Sequence, residues 1–215
     1  MLNKPSGLLS VPGRGVLKQD CLTARVQQQY ADALVVHRLD MGTSGLMVMA
    51  RGLESQRCLQ HQFAQCLVQK GYVAVVQGMP MVEPMQWHHI DAPLRLDWPN
   101  RPRSMIDKAH GKPSHTYWRL LHQPDKHPAL AEGFFRPSLA HGGHAVLELA
   151  PITGRSHQIR VHLQSIGHAI AGDVLYGDEA NQHMAPRLLL HAWRLALQHP
   201  ITGQVMQWQC PADFV

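Results

Sequence analysis

The stretch around which this chain is organised is His37-Arg38-Leu39-Asp40-Met41-Gly42-Thr43-Ser44-Gly45-Leu46. It places an arginine and an aspartate two residues apart, directly before a turn rich in glycine and hydroxyl side chains. An apolar run, Leu46-Met47-Val48-Met49-Ala50, follows and is typical of a buried strand. The turn should therefore lift the carboxylate of Asp40 out of the sheet, toward solvent or a substrate.

Two interpretations of this turn remain open on the residues alone. The small residues Gly42, Ser44 and Gly45 would allow another backbone to approach closely, as a cleft for a ribose and a flat base requires. Alternatively, Asp40 caps its own turn by bonding to nearby backbone, which is common for aspartate in turns. The spacing favours neither.

Five further blocks accompany this stretch in order along the chain. They are Asn3-Lys4-Pro5-Ser6-Gly7-Leu8-Leu9-Ser10-Val11-Pro12-Gly13, Lys70-Gly71-Tyr72-Val73-Ala74, Asp97-Trp98-Pro99-Asn100-Arg101-Pro102, the block from Pro151 to His162, and the block from Met184 to Ala192. Together with His37-Arg38-Leu39-Asp40 they resemble the RluA family of pseudouridine synthases over nearly the whole chain. The resemblance implies an α+β fold, with a mixed, mostly antiparallel central sheet flanked by helices and loops and an active-site cleft across the sheet.

The resemblance also implies roles for individual residues. Asp40 would be the catalytic nucleophile, Tyr72 would lie against the target uridine, and Arg160 would pair with Asp40. Arg38 would fill the gap left by the extruded base. The residues expected to contact RNA are Arg38, His37, Arg101, Arg103, Trp98, Arg155 and His157. No cofactor and no metal are expected.

The expected partners are stem-loops of large-subunit ribosomal RNA and of transfer RNA, because the chain is most similar to members of the family that act on both. We weigh two alternatives. One is a sister synthase specific for another ribosomal RNA site. The other is a non-catalytic RNA-binding or ribosome-assembly factor, which would need a basic surface but not Asp40, Tyr72 and Arg160 together.

The composition is typical of a globular protein, and its positive charge agrees with binding to a polyanion. The 215 residues are 45% hydrophobic and 16% charged, with a formal net charge of +5 and 16 histidines. The four cysteines show no metal or Cys-x-x-Cys spacing, and no apolar stretch is long enough to span a bilayer. We expect a cytoplasmic protein without membrane contact, acting as a monomer.

Other chemistries lack their sequence patterns. The histidine pairs match no standard zinc spacing, and no phosphate-binding glycine loop, dinucleotide fingerprint or Gly-x-Ser-x-Gly elbow is present. A glycosidase would need a second carboxylate in the site.

Periodicity predicts the local elements. We expect a short helix over Leu22–Tyr30, a strand through Leu34–Val36, an amphipathic helix between Leu53 and Val68 that is stopped by Gly71, and a strand over Tyr72–Val76. Residues 79–112 should form surface loops and short strands. Further strands are predicted at 115–121 and 145–150, and a hairpin near the end pairs 188–197 with 205–209.

The segment from Thr153 onward predicts a helix with Ser156 as its N-cap and Gly167 as its stop. Ile159, Leu163 and Ile166 would form its buried stripe. Arg160 would sit beside that stripe, where an arginine needs an anionic partner, and Asp40 is the natural choice.

We expect one catalytic domain spanning 1–215, without an S4 domain and with an inserted loop at about 122–143. The strand that precedes the first block in the family is missing here. We therefore expect an unpaired edge near Leu8–Val11, and a natural protein that starts upstream or a truncated chain.

Overall fold

The computed structural model describes residues 1–121, 143–212 and 214. Within them the strands, in chain order, are β1 (Leu2–Lys4), β2 (Ala33–Val35), β3 (Ser44–Met47), β4 (Met49–Arg51), β5 (Gln69–Gln77), β6 (His88–Asp91), β7 (Leu94–Leu96), β8 (Ser104–Ile106), β9 (His115–Leu120), β10 (His144–Pro151), β11 (Leu190–Gln198) and β12 (Val205–Gln209). The α-helices are α1 (Leu22–Gln27), α2 (Leu53–Ala64), α3 (Gln158–Ser165) and α4 (Glu179–His183).

One mixed sheet dominates the fold. Seven strands lie in the spatial order β1-β3-β11-β5-β10-β9-β6, and β12 pairs with the second half of β11. β3 and β11 run parallel, whereas the other neighbouring strands of this sheet are antiparallel. The prediction of an α+β fold with a mostly antiparallel sheet is therefore confirmed.

The central strand β5 is apolar on both faces because both faces are covered. Val73 and Val75 face a cluster that includes Trp193 and Phe214. On the other face, α3 packs Ile159 and Leu163 against Val76 and its neighbours, and Ile166 is partly buried there as well. The predicted stripe of α3 is confirmed, and it places this helix directly over the sheet.

The loop that carries Asp40 runs from β2, which pairs only with β4, into β3 of the main sheet. Gly45 in β3 has φ +107°, and a Cβ there would lie 2.3 Å from the Ala192 carbonyl oxygen of β11. A Cβ on Gly42 would lie 3.2 Å from the side chain of Leu188. Gly45 therefore allows the close approach of another backbone that we expected, here that of β11, and Gly42 makes room for a side chain of the protein.

Three element predictions were wrong in detail, and a fourth was confirmed. The run Leu46–Ala50 is split between β3 and β4, which belong to different sheets. α2 ends at Ala64, and Gly71 lies inside β5 and does not stop the helix. The N-cap of α3 is His157, not Ser156, and it has a left-handed backbone with φ 56°. The helix stop at Gly167 agrees with its φ of +84° and its bond to the Gln164 carbonyl.

The edge of the sheet also lies elsewhere than expected. β1 forms that edge by pairing with β3, and the chain then turns away at Pro5–Gly7. Leu9 makes a parallel bridge to Cys21, and its carbonyl accepts a bond from the Leu22 amide. The stretch Leu8–Val11 is therefore bonded to the start of α1 and is no unpaired sheet edge. The predicted insertion at 122–143 lies outside the described residues except for Gly143.

Candidate active site

Asp40 lies within the loop between β2 and β3, with its side chain 31% exposed. Its backbone carbonyl accepts a bond from the Thr43 amide at 3.1 Å, which closes the turn. Within the described residues, the carboxylate itself makes no hydrogen bond to that turn. The structure thus departs from the capping interpretation and leaves the carboxylate available to the cleft.

The amino-terminal segment holds both sides of Asp40 in place. Ser10 donates from Oγ to the Leu39 carbonyl at 2.6 Å and accepts from the Leu39 amide at 3.1 Å. Lys4 is fully buried and donates from Nζ to the Met41 carbonyl at 3.1 Å. Burial lowers the pKa of Lys4 to about 8, although the charge of Asp40 opposes that shift. Because its neighbours on both sides are bonded, the position of Asp40 is fixed by residues far ahead of it in sequence.

Arg160 enters the same site from α3 and is 6% exposed. Its Nη1 lies 3.8 Å from Oδ2 of Asp40. Its closer partner is Asp173, to which it donates from Nε at 2.8 Å and from Nη2 at 2.6 Å. Burial lowers the pKa of Arg160, but the bonds to Asp173 and the charges of Asp173 and Asp40 more than offset it, so that the net pKa is raised. The predicted pairing of Arg160 with Asp40 is thus a second contact, and Asp173 is the main partner.

Tyr72 projects from β5 into the cleft and is half-buried among apolar side chains. Burial, and secondarily the negative charge of Asp40, raise the pKa of Tyr72, so its hydroxyl stays protonated. Lys70, two residues earlier on the same face of β5, donates from Nζ to the carbonyls of Ile152 at 2.9 Å and Thr153 at 3.1 Å. Burial lowers the pKa of Lys70 to about 8. This lysine attaches β5 to the loop that leads into α3.

His157 begins α3 beside the two charged groups. Its Nε2 lies 3.9 Å from Oδ2 of Asp40, and its Nδ1 lies 2.8 Å from the hydroxyl of Tyr176. Burial lowers the pKa of His157, while the charges of Asp40 and Arg160 act in opposite directions. The left-handed backbone at this position, which is uncommon outside glycine, turns the imidazole toward the cleft.

These side chains line one cleft of about 510 Å³, whose walls include Arg38, Asp40, Tyr72, His157 and Arg160. The cleft shares residues with a wider groove of about 2030 Å³. That groove runs along Leu9–Val11 on one side and reaches Leu96 and Pro102 of the β7–β8 region on the other. The cleft at Asp40 therefore shares its walls with a groove bounded by separate parts of the chain.

The predicted RNA-contacting residues divide into three groups. Arg38 and Arg155 are exposed and line the cleft, and no side-chain bond of Arg38 occurs within the described part of the chain. His157 faces Asp40. His37 is different, because its Nε2 accepts the Val48 amide at 3.0 Å and its ring stacks on Phe63 at 4.4 Å. Burial, with a smaller effect of Lys70, lowers the pKa of His37 to about 3. An uncharged imidazole held in this way is poorly suited to a phosphate contact.

Trp98, Arg101 and Arg103 lie together on the hairpin formed by β7 and β8, outside the cleft itself. The guanidinium of Arg101 lies 4.2 Å from the centre of the Trp98 ring, and Trp98 is 63% exposed. Arg103 lines a separate groove on the side of Tyr176. The structure therefore groups these three residues near the cleft but does not bring them to Asp40.

Four residues of the site were not predicted from the sequence, namely Asp173, Tyr176, Lys4 and Ser10. A signal for Asp173 was present, since a buried arginine requires an anion and Asp173 stands in the glycine-bounded turn Gly172-Asp173-Val174-Leu175-Tyr176-Gly177. Lys4 and Ser10 belong to the first block, but nothing in their spacing shows that they hold the Asp40 loop.

The arrangement suits covalent catalysis by one carboxylate. An aspartate beside a fixed arginine and a protonated tyrosine can attack an electrophilic carbon without a second carboxylate. Among the described residues, no group of three or more histidine, cysteine or acidic side chains is arranged to hold a metal ion. No helix in the described ranges is long and apolar enough to cross a membrane.

Comparison with known proteins gives matches over most or all of the chain. The family model for RNA pseudouridylate synthases matches residues 1–165. The dual-specificity RNA pseudouridine synthase RluA of Escherichia coli K12 is 42% identical over 214 residues, covering 100% of this chain and 89% of the relative. The protein of the same name from Vibrio parahaemolyticus is 41% identical over 213 residues, covering 99% of this chain and 79% of the relative.

A solved structure agrees with the fold. Human RNA pseudouridylate synthase domain containing 1 superposes with a TM-score of 0.73 at 24% identity, covering 99% of this chain and 79% of the human chain. At this identity the likeness supports the architecture of the sheet and its flanking helices.

Proposed function

Because the chain belongs to the RNA pseudouridylate synthase family and is an RNA pseudouridine synthase, we propose that Asp40 is its nucleophile and that it modifies uridines in two RNAs. These RNAs are large-subunit ribosomal RNA and the anticodon stem-loop of transfer RNA. Relatives named as dual-specificity synthases, aligned over the full chain, support the pair of substrates.

The observation that carries the assignment of Asp40 is its environment. The carboxylate is unbonded within its turn, partly exposed, and 3.8 Å from an arginine whose own position is fixed by Asp173. A non-catalytic RNA-binding factor would not need Asp40, Tyr72 and Arg160 in one cleft, and this supports a catalytic site.

The proposed reaction begins when the target uridine leaves its stack and enters the cleft. Asp40 attacks the base or the ribose, the N-glycosidic bond breaks, and the uracil turns so that C5 faces C1′ of the ribose. A bond forms between C5 and C1′, C5 loses its proton to solvent, N1 takes up one proton, and the bond to Asp40 is broken. The atoms of substrate and product are the same, so no outside oxidant or reductant is needed.

The remaining cleft residues support this sequence of steps. Arg160, whose Nη1 lies 3.8 Å from Oδ2 of Asp40, orients the carboxylate for attack. Tyr72 offers a ring on which the flipped base stacks, an interaction that contributes about 1–3 kcal/mol. Arg38, exposed at the rim, occupies the space that the base leaves and offsets an unstacking cost of a few kcal/mol.

The assignment is tested with purified protein, a ribosomal and a transfer RNA stem-loop, and release of tritium from C5-labelled uridine. Asp40→Asn should show no turnover while the dissociation constant for each RNA stays within a few-fold, because the substitution removes the nucleophile and changes shape little. Asp32→Asn is the matched control, since Asp32 is an exposed aspartate paired with Arg51 and should leave turnover unchanged.

Turnover by Asp40→Asn would overturn the assignment of the nucleophile. If the unaltered protein modifies one RNA and not the other at saturating concentration, dual specificity is wrong and the sister synthase alternative is supported.

A further inference from the structure

A chain of polar contacts links the β7–β8 hairpin to Asp40. The backbone amide of Ser104, the first residue of β8, donates to the hydroxyl oxygen of Tyr176 at 2.7 Å. The same hydroxyl lies 2.8 Å from Nδ1 of His157. Nε2 of His157 then lies 3.9 Å from Oδ2 of Asp40.

The proton positions along this chain follow from the donors and acceptors present. The Ser104 amide can only donate, so it occupies a lone pair of the Tyr176 oxygen. The hydroxyl proton of Tyr176 is then available for Nδ1 of His157, if Nδ1 is unprotonated. With Nδ1 accepting, a neutral imidazole carries its proton on Nε2, which is the nitrogen that faces Asp40.

The opposite tautomer is disfavoured by the charges around the ring. An unprotonated Nε2 would direct a lone pair at the carboxylate of Asp40, whereas Nε2–H directs a positive dipole at it. The other ionisable groups that face His157 are Arg160, Asp173 and Tyr176. Burial lowers the pKa of His157, which supports a neutral ring near pH 7, and burial raises the pKa of Tyr176, which keeps its hydroxyl protonated.

We propose that Tyr176 is a positioning residue for the reaction, and that it fixes His157 in the Nε2–H tautomer so that this proton orients Asp40. The inference rests on the proposed role of Asp40 as nucleophile. Since Ser104 belongs to the hairpin that carries Trp98, Arg101 and Arg103, the same contacts make the orientation of the nucleophile depend on the position of the hairpin. Binding of RNA to the hairpin and the orientation of the Asp40 carboxylate are thereby connected through Tyr176.

The first test replaces Tyr176 with Phe, which removes the hydroxyl and keeps the ring beside Arg160. The rate constant for single-turnover modification at saturating RNA should fall about tenfold or more at pH 8, because a hydrogen bond that serves a charged group is lost. RNA affinity should stay within about twofold. Tyr117→Phe is the matched control, because Tyr117 is 40% exposed on β9 and lies outside the cleft. Removing its hydroxyl should leave the single-turnover rate constant unchanged.

The pH dependence separates this role from a general loss of structure. When His157 takes up a second proton, Nε2–H is present whatever the tautomer, so the defect of Tyr176→Phe should shrink as pH falls through the lowered pKa of His157. A defect of constant size at every pH would contradict the proposal.

A double-variant cycle with His157→Gln gives a second check. The glutamine amide nitrogen falls near the position of Nε2 and carries its protons without any tautomer. Adding Tyr176→Phe to His157→Gln should therefore lower the single-turnover rate constant less than twofold. The same substitution in the unaltered protein should lower it tenfold or more. Equal costs in both backgrounds would contradict the proposal.

Nitrogen NMR of histidine-labelled unaltered protein measures the tautomer without any variant, and so gives a result even if Tyr176→Phe fails to fold. A neutral His157 protonated on Nε2 is expected, and protonation on Nδ1 would overturn the inference. If the unaltered protein forms no pseudouridine at all, the proposed function is wrong, and the positioning role that rests on it is wrong as well. If it is active and Tyr176→Phe matches it at all pH values, the positioning role alone is wrong.

Discussion

Arg160 contacts two carboxylates of unequal exposure. This difference determines how replacement of the arginine would affect the stability of the protein. Asp173 has a side chain only 1% exposed, whereas that of Asp40 is 31% exposed. Removing the arginine would leave Asp173 as a buried charge, to which the Leu175 and Tyr176 amides are the remaining hydrogen-bond donors among the described residues.

We therefore predict that Arg160→Met destabilises the protein by about 3–5 kcal/mol as well as lowering activity. Urea unfolding followed by tryptophan fluorescence measures the change. Arg160→Met combined with Asp173→Asn should recover part of the stability, because the buried charge is gone, but should not recover activity. A loss below about 1 kcal/mol for the single variant would be inconsistent with the pairing described here.

The sequence indicated that Arg160 needs an anion, and we expected Asp40, whereas the main partner is Asp173. Both Asp40 and Asp173 satisfied the charge requirement. The choice depends on how the 166–177 segment returns to α3, a tertiary detail that helical periodicity does not contain. Likewise, nothing in the order of residues shows that Lys4 reaches the Met41 carbonyl.

His37 gives a prediction for the effect of pH on stability. Burial lowers its folded-state pKa from the ordinary value of 6.5 to about 3. Between these values the unfolded chain binds a proton that the folded chain does not, so stability is fully present above pH 6.5 and falls as pH drops through this window. The loss from this group is at most about 1.4 kcal/mol per pH unit.

His37→Gln should reduce the decline of unfolding free energy between pH 7 and pH 5, because glutamine can accept the Val48 amide but does not titrate. Chemical denaturation at each pH provides the measurement. The exposed His61 on α2 supplies the control, and His61→Gln should follow the unaltered protein. Identical pH slopes for His37→Gln and the unaltered protein would mean that His37 is not held neutral.

At the scale of elements, the β7–β8 hairpin is the main recognition candidate beside the cleft. Arg95 and Asp107 form an ion pair that joins the two sides of the hairpin, and Trp98 and Arg101 stack at its tip. A short, braced hairpin with exposed cations suits a synthase that must read a short single-stranded word in different RNAs.

We predict that Arg103→Ala weakens the binding of both RNAs to the same extent. It should also reduce the slope of log affinity against log salt by about one unit, as loss of one phosphate contact requires. Arg51→Ala should leave the slope unchanged, because the charge of Arg51 is already paired with Asp32. The measurement is the affinity of each variant for both stem-loops over a series of salt concentrations. Loss of discrimination at one loop position, by roughly 1–3 kcal/mol, would instead assign Arg103 to base reading.

Element boundaries were predictable where one period continues without interruption, as in α3 and the β11–β12 hairpin. They were not predictable where the backbone changes direction inside an apolar run. Val48 separates β3 from β4 although its hydrophobicity matches its neighbours, because the sheet to which each half belongs is decided by partners far away in sequence. The left-handed residue His157 displaced the predicted N-cap for a similar reason, since its conformation is set by its place beside Asp40 and Tyr176.

At the scale of the whole molecule, the cleft is assembled from distant parts of the chain around the sheet. The first block fixes the Asp40 loop, β5 supplies Tyr72 and Lys70, and α3 supplies His157 and Arg160. This explains why the family could be predicted from six separate blocks, and why no single block defines the site. The predicted family and fold are confirmed, whereas the residue roles remain proposals.

The most direct test of the central claim is a pseudouridine map of ribosomal and transfer RNA from the source organism. The map compares the normal strain, a strain lacking the gene, and the latter complemented with the unaltered gene or with Asp40→Asn. We predict that pseudouridine disappears from one large-subunit ribosomal position and from a transfer RNA anticodon stem-loop, that the unaltered gene restores both, and that Asp40→Asn restores neither. Restoration by Asp40→Asn, or an RNA map unchanged by loss of the gene, would contradict the account.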